Sequence, residues 1–326
     1  MSPHLHLWPA LIGAVIGFAL LAWASVALVR RWRTLRPRTR WIAFAALALV
    51  EAVLWLGVYA VFIEPNTLVV RRVEVESADW HGTPLTMAVL SDTHVTGPHV
   101  DAARVGRIVQ RVNALRPDIV FLLGDYVGGH APESERSPAE QQEIAGGIAT
   151  FAALNARYGA VAVIGNHDVW YNRQSVTTAL QDAGVAALWN RNVVIRRSGG
   201  PIAIAGLADD TTGDPNFADA LDGIEPGTDT IIISHSPDPF AHMPSGPALM
   251  LAAHSHCGQV TIPFFGRPVL PIHNRAYACH LVEQNGRTMY VTGGIGTSIA
   301  PARFLNPPEI VLITLRGTTT ASAAQR

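Results

Sequence analysis

The stretch Ala160-Val-Ala-Val-Ile-Gly-Asn-His-Asp-Val-Trp170 decides how this chain is read. Its first five residues are apolar and short, the signature of a buried strand rather than a helix. They run directly into Gly165-Asn166-His167-Asp168, where amide, imidazole and carboxylate side chains follow one another as the strand stops. Two such junctions lie upstream. Thr86-Met-Ala-Val-Leu90 leads to Asp92-Thr-His94, and Ile119-Val-Phe-Leu-Leu123 leads to Gly124-Asp125. Two more lie downstream, where Ile231-Ile-Ile233 precedes His235 and Leu249-Met-Leu251 precedes His254-Ser-His256. Open α/β sheets gather ligands at the carboxyl ends of their strands. Five strands delivering metal-competent groups at that same end describe a two-metal hydrolytic site.

Outward from these junctions, apolar runs alternate with amphipathic segments at 100–115, 138–156 and 173–183, which implies βαβ units. Past residue 190 the pattern turns strand-rich, with strands predicted at 193–197, 201–206, 230–234, 248–252, 259–262, 278–283, 288–292 and 309–315. Gln284-Asn-Gly-Arg287 reads as a hairpin turn, and the polar 128–138 segment as a surface loop. An α/β half followed by a strand-rich half predicts two packed sheets with helices outside.

The chain has 326 residues, which as a soft prior suggests about two domains. Basic and acidic residues number 24 and 25, so no bulk electrostatic attraction to nucleic acid is expected. Its apolar excess is local. Trp8 to Val29 holds no charged residue and Trp41 to Ile63 only Glu51. Each run exceeds the roughly 20 residues that cross a bilayer as a helix. Between them, Arg30 to Arg40 carries six arginines, whereas no Lys or Arg precedes Trp8. The positive-inside rule keeps this loop in the cytoplasm and sends everything after Ile63 outside. Reading 30–63 as an export signal, with Arg30-Arg31 and cleavage after Ala60, fits less well, because such signals begin a chain. Either reading exports the C-terminal part. Glu51 is assigned to a helix-pair contact or a water-accessible carboxylate rather than an ion site. Cys257 and Cys279 fall in the exported part, where disulfides persist, but sequence leaves open whether they pair or Cys257 is a free thiol. His81, His99, His130, His242, His273 and His280 are assigned the commoner role of hydrogen-bonded structural imidazoles.

The ordered blocks Asp-x-His, Gly-Asp, Gly-Asn-His-Asp, His and His-x-His resemble the calcineurin-like metallophosphoesterase superfamily over about residues 84 to 316. Ala253 and Cys257 stand where that family has glycines flanking the last block; neither replaces a ligand. Gly165-Asn-His-Asp-Val-Trp170, Ala253-His-Ser-His-Cys-Gly-Gln259 and Tyr290-Val-Thr-Gly-Gly-Ile-Gly296, with Arg303 and Pro308-Glu309, resemble its membrane-associated YkuE/YaeI-type branch. A chlamydial UDP-2,3-diacylglucosamine pyrophosphatase is related to that branch.

The resemblance implies one metal on Asp92, His94, Asp125 and His256, and a second on Asp125, Asn166, His235 and His254. A shared carboxylate holds two cations roughly 3.5–4 Å apart, where they activate water and clamp a phosphoryl oxygen. Mixed imidazole and carboxylate ligands suit Mn, Fe or Zn, with Mn the first candidate. His167 is implied as the proton donor to the leaving group, with Asp168 orienting its ring; a helix N-cap is the other role open to Asp168. Arg303, Gly294 and Gly296 are candidates to cradle a phosphate or head group, although the glycines also fit a tight turn. Asp209-Asp210 and Asn190-Arg191 are assigned to strand ends.

The fold expected is therefore α/β, a two-sheet metallophosphoesterase sandwich flanked by helices and preceded by two transmembrane helices at about 8–29 and 41–63. Residues 1–67 form the anchor, 68–317 the catalytic domain and 318–326 a flexible tail. The expected function is hydrolysis of a phosphodiester or pyrophosphate of a lipid-linked or envelope substrate, outside the cytoplasmic membrane, with no obligate protein partner. The competing readings are a broad phosphomonoesterase or nucleotide phosphodiesterase, and a non-catalytic metal-binding sensor or scaffold.

Overall fold

The computed structural model describes residues 7–318. Past Thr318, the tail expected at the C-terminus lies outside the described residues. Two apolar helices come first, α1 (Trp8–Arg31) and α2 (Pro37–Val58), the second continuing through a π-turn (Tyr59–Ile63) and a 3₁₀ turn (Glu64–Asn66). Both are long and apolar enough to cross a membrane, and neither buries a residue in the protein. Pro37 at the first turn of α2 loses no hydrogen bond there. The pair packs closely where Gly17 meets Leu54, and the Phe18 and Trp55 rings lie 5.0 Å apart.

The rest is a sandwich of two six-stranded sheets. The first runs β1 (Val69–Ser77), β12 (Glu309–Gly317), β2 (Leu85–Leu90), β3 (Ile119–Leu122), β4 (Ala160–Val163), β5 (Ala186–Leu188). All its neighbours are parallel except β12 with β2. The second runs β10 (His280–Gln284), β11 (Arg287–Val291), β9 (Leu249–Ala252), β8 (Asp229–Ile233), β7 (Ile202–Gly206), β6 (Arg191–Ile195). Parallel β11, β9, β8 and β7 are flanked there by antiparallel edges.

Strand periodicity sorts the core. Met87, Val89, Ile119, Phe121, Val161 and Val163 face Ile202, Ile204, Ile231, Ile233, Leu249 and Leu251 between the sheets. The alternate residues Ala88, Leu90, Val120 and Leu122 turn outward onto α3 (Ala102–Leu115), α4 (Pro138–Ala149) and α5 (Asn166–Asp182). Strands buried on both faces read as continuous apolar runs, which is why β2, β3, β4, β8 and β9 were plain in the sequence. One predicted strand fails, since residues 259–262 form no strand but lead into a turn. β1, whose charged positions 71, 72, 74 and 76 mask its pattern, was not foreseen, and neither was the short β5, held by its pairing with β4. β1 exists because it pairs with β12 across nine residues, a partner far away in sequence.

Candidate metal centre

The carboxyl ends of β2, β3, β4, β8 and β9 meet at one edge of the sandwich, and the five junctions converge there. Asp92 N–H donates to Gly124 O at 2.9 Å and His94 N–H to Asp125 O at 3.0 Å, so the first two ligand loops run side by side. Gly165 lets the third approach, since a Cβ there would sit 2.3 Å from Asp125 Oδ1. Asp92, His94, Asp125, His254 and His256 all have φ between 46° and 65°, the left-handed region that non-glycine residues avoid. Each such residue costs on the order of 1–3 kcal/mol, and clusters of them belong to functional sites.

Side chains form two groups that share a centre. His94 Nε2 lies 3.1 Å from His256 Nε2, and His256 Nε2 lies 3.4 Å from Asp92 Oδ1. His235 Nε2 lies 3.1 Å from His254 Nδ1 and 3.2 Å from Asn166 Oδ1. Between the groups, Asp125 Oδ2 is 3.6 Å from His94 Nε2 and 3.3 Å from His235 Nε2. The seven residues expected as ligands are thus brought together, with Asp125 in the middle.

Two features test whether divalent cations suit this set. Asp92 is fully buried, yet both its carboxylate oxygens lack a hydrogen-bond partner. Such a group demands a cation or a proton. The imidazoles are also fixed by backbone carbonyls: His94 Nδ1 by Val127 O at 3.2 Å, His235 Nδ1 by Leu123 O at 2.7 Å, His254 Nε2 by Pro271 O at 2.8 Å. In a neutral imidazole, a nitrogen that donates to a carbonyl leaves the other as a lone pair. His254 Nδ1 is thus a lone pair aimed at His235 Nε2, where burial is outweighed by Asp125 and the imidazole is held protonated, well above its usual range. A cation displacing that proton would meet two imidazole lone pairs fixed by outer carbonyls. The residues fit.

Electrostatics agree. Burial drives His94 down to about 3, and burial with the His235 charge drives His254 to about 4, so both are the neutral ligands a metal needs. Burial, with repulsion from Asp125, pushes Asp92 up to about 7. Burial raises Asp125 too, but His235 and His167 outweigh it and hold the carboxyl well below the carboxylate range.

His167 Nδ1 donates to Gly129 O at 2.7 Å, which leaves Nε2 facing the cleft, 3.3 Å from Ser298 Oγ. Asp168 does not touch that ring. Its Oδ2 accepts from Asp125 and Gly165 N–H at 2.8 and 3.0 Å, its Oδ1 from Tyr126 and Val127 N–H at 2.8 and 3.1 Å. The orienting role is therefore corrected: Asp168 caps α5 and pins the Asp125 loop.

Arg303 is corrected as well. It is fully buried, and its guanidinium donates to the carbonyls of Gly293 at 2.8 Å, Gly296 at 2.6 Å and Asn306 at 2.9 Å. A side chain committed below the site has no reach into the cleft. Gly294 and Gly296 likewise face the protein: a Cβ on Gly294 would meet Asp92 Oδ2 at 2.6 Å, and one on Gly296 would meet Thr93 O at 2.6 Å. This loop seats Asp92. Asp209 and Asn190 do close loops, accepting from Thr212 N–H at 2.8 Å and Ala208 N–H at 2.8 Å. Cys257 and Cys279, left open by sequence, form a disulfide next to His256.

The cleft beside the ligands encloses about 400 Å³, and His130, Trp170, Val260, Val269, Ser298 and Ile299 are among the residues that wall it. Sequence reasoning missed His130, whose ring lies tilted with its centroid 4.8 Å from that of His167 and 5.1 Å from that of Trp170. Its place in a polar loop gave no periodic signal. Ser298 was missed for the same reason.

The chain belongs to the calcineurin-like phosphoesterase family, whose sequence profile matches residues 85–258. It is a metal-dependent phosphoester hydrolase of the YkuE/YaeI-type branch. Metallophosphoesterase YkuE of Bacillus subtilis is 26% identical over 80% of this chain and 90% of its own length. Phosphodiesterase YaeI of Escherichia coli is 24% identical over 79% of this chain and 92% of its own. A transmembrane protein with a metallophosphoesterase domain from Danio rerio is 28% identical over 78% of this chain, which spans 58% of that longer protein.

Proposed function

We propose that this chain is a membrane-anchored, dinuclear phosphoesterase that cleaves a phosphodiester or pyrophosphate of a lipid-linked or envelope substrate outside the cytoplasmic membrane. The observation that carries the dinuclear reading is Asp125, placed between two ligand groups. Asp92, His94, Asp125 and His256 would hold one cation and Asp125, Asn166, His235 and His254 the other, Mn, Fe or Zn by ligand type and Mn first. Bound there, such cations supply Lewis acidity and an activated water.

The chain's own residues do the rest. Leu123, Val127 and Pro271 carbonyls fix imidazole tautomers. Asp168 and Arg303 hold the ligand loops. His167 presents Nε2 to the cleft and, when protonated there, hands that proton to the departing oxygen. The disulfide supports an oxidising compartment, and so does the arginine-rich loop that keeps residues 30–40 inside. The apolar cleft wall and the two anchor helices support a lipid-linked substrate over a free nucleotide.

The test is hydrolysis of bis(p-nitrophenyl) phosphate by the full chain in detergent, with cation content measured in parallel. Asp125→Ala should lower kcat/KM by roughly a thousandfold or more and leave fewer than two cations bound. Activity within tenfold of wild type, with one cation bound, would contradict the dinuclear mechanism. A phosphomonoester turned over much faster than the diester would favour the phosphomonoesterase reading.

A further inference from the structure

The turn Ile262-Pro-Phe-Phe-Gly266 carries two phenylalanines with nothing to pack against, Phe264 at 106% and Phe265 at 86% exposure. Ile262 N–H donates to Gly266 O at 2.8 Å and Gly266 N–H to Ile262 O at 2.8 Å, which closes a tight loop, and Phe264 stands at φ 68° at its tip. In water this arrangement is unfavourable twice over, through left-handed backbone at a bulky residue and through hydration of two aromatic rings. Exposed Ile262, Val269, Leu305 and Ile299 extend the apolar surface. A contiguous patch of this kind marks a contact surface.

What lies against it follows from the neighbouring chain. Arg303 N–H donates to Ala60 O at 2.8 Å, and the Phe304 ring meets the Tyr59 ring edge-on at 6.3 Å. Tyr59 and Ala60 belong to the apolar span Pro37–Asn66. From Phe304 the connection is immediate, since Thr261 N–H donates to Phe304 O at 2.9 Å and Asn306 Nδ2 to Thr261 Oγ1 at 2.8 Å. The exposed turn therefore starts beside the last turns of the membrane helix. The same loops wall the cleft through Val260, Val269, Ile299 and Ala300.

We propose that the 262–266 turn inserts Phe264 and Phe265 into the leaflet from which α2 emerges, so that the cleft opens at the lipid surface and takes a phosphoester whose apolar tail stays in the bilayer. Aromatic side chains on a short apolar projection beside a transmembrane helix are suited to that interface. The substrate half rests on the phosphoesterase reading above; the insertion half does not.

The test uses the full chain in phosphatidylethanolamine/phosphatidylglycerol vesicles with p-benzoylphenylalanine in place of Phe264. The same replacement at Trp41, in the span, and at Glu225, just before the amino end of β8 and away from the cleft, serves as comparison. Lipid photoadducts are expected at 264 and 41 and not at 225. Adducts at 41 without any at 264 overturn insertion. In parallel, Phe264→Ser/Phe265→Ser should lower kcat/KM on vesicle-embedded dioleoylphosphatidyl-p-nitrophenol by about tenfold and leave soluble bis(p-nitrophenyl) phosphate turnover unchanged. Equal loss on both substrates overturns the access role. Wild-type turnover of the soluble diester alone, with adducts present at 264, overturns the lipid-substrate half and leaves both insertion and phosphoesterase activity standing.

Discussion

At the scale of single residues, the site is built from groups that only a neighbour makes tolerable. Asp92 and Asp168 are buried carboxyls, each pushed up to about 7 first by burial and then by Asp125. A carboxyl whose folded pKa exceeds its unfolded value of about 3.8 favours folding while protonated. That contribution is complete below the unfolded pKa and vanishes as pH rises through the folded one. Below about pH 6.5 this is opposed by His94 and His254, which burial holds neutral and which therefore add stability as pH rises. Chelator-stripped protein should then lose Tm between about pH 6.5 and pH 8, and added Mn should reverse the slope, because a cation requires the ionised form. A flat Tm profile in chelator would sink this account of Asp92. Arg303 yields a second prediction. Arg303→Ala strands three backbone carbonyls and should cost about 3 kcal/mol in denaturant unfolding, with weakened cation binding and an unchanged KM on residual activity. A substrate contact would instead raise KM. These residue types and spacings were legible in the sequence, and so was a helix cap as one of two roles for Asp168, yet the role of Arg303 and the hold of Asp168 on the Asp125 loop were not. Their partners are backbone carbonyls and N–H groups, which no side-chain motif records.

At the scale of elements, α5 is two helical pieces joined at Asn172, which has φ −176° and ψ 100°. Its Oδ1 accepts from Gln174 and Ser175 N–H at 3.1 and 3.2 Å, a cap for the second piece, which explains why periodicity located a helix only from 173. The first piece exists to present Asn166 and His167. Asn172→Ala should destabilise the fold by about 1 kcal/mol, read from the urea midpoint, with ligand geometry retained and kcat little changed. The Cys257–Cys279 bridge closes a 22-residue separation across the segment that bears the 262–266 turn. Cys257→Ser/Cys279→Ser should cost about 3 kcal/mol by loop-closure entropy, measured as a lower Tm.

For the whole molecule, the question is how the apolar helix pair and the phosphoesterase sandwich join. Glu64 is buried and accepts Leu305 N–H at 3.0 Å and Asn306 N–H at 2.6 Å. Arg104 reaches back to Pro65 O at 2.6 Å and Asn66 Oδ1 at 2.9 Å. These contacts lie before the expected start of the domain at residue 68. A fragment beginning at Glu64 should therefore unfold at higher urea than one beginning at Leu68, by about 2–3 kcal/mol for the lost bonds to buried charged groups. Equal midpoints would show the clasp to be dispensable. The sequence by itself determined the layered α/β architecture, the two apolar helices and the candidate ligand residues. Apolar periodicity, span length and ligand chemistry are local properties, carried by adjacent residues. Only the tertiary structure decided that β1 exists beside β12, that Asp125 stands between two clusters of candidate ligands, that the cysteines pair and that a phenylalanine turn lies near the end of the second apolar helix. Each of these depends on contacts between residues far apart in the chain, and burial rather than composition fixes which groups are left to bind.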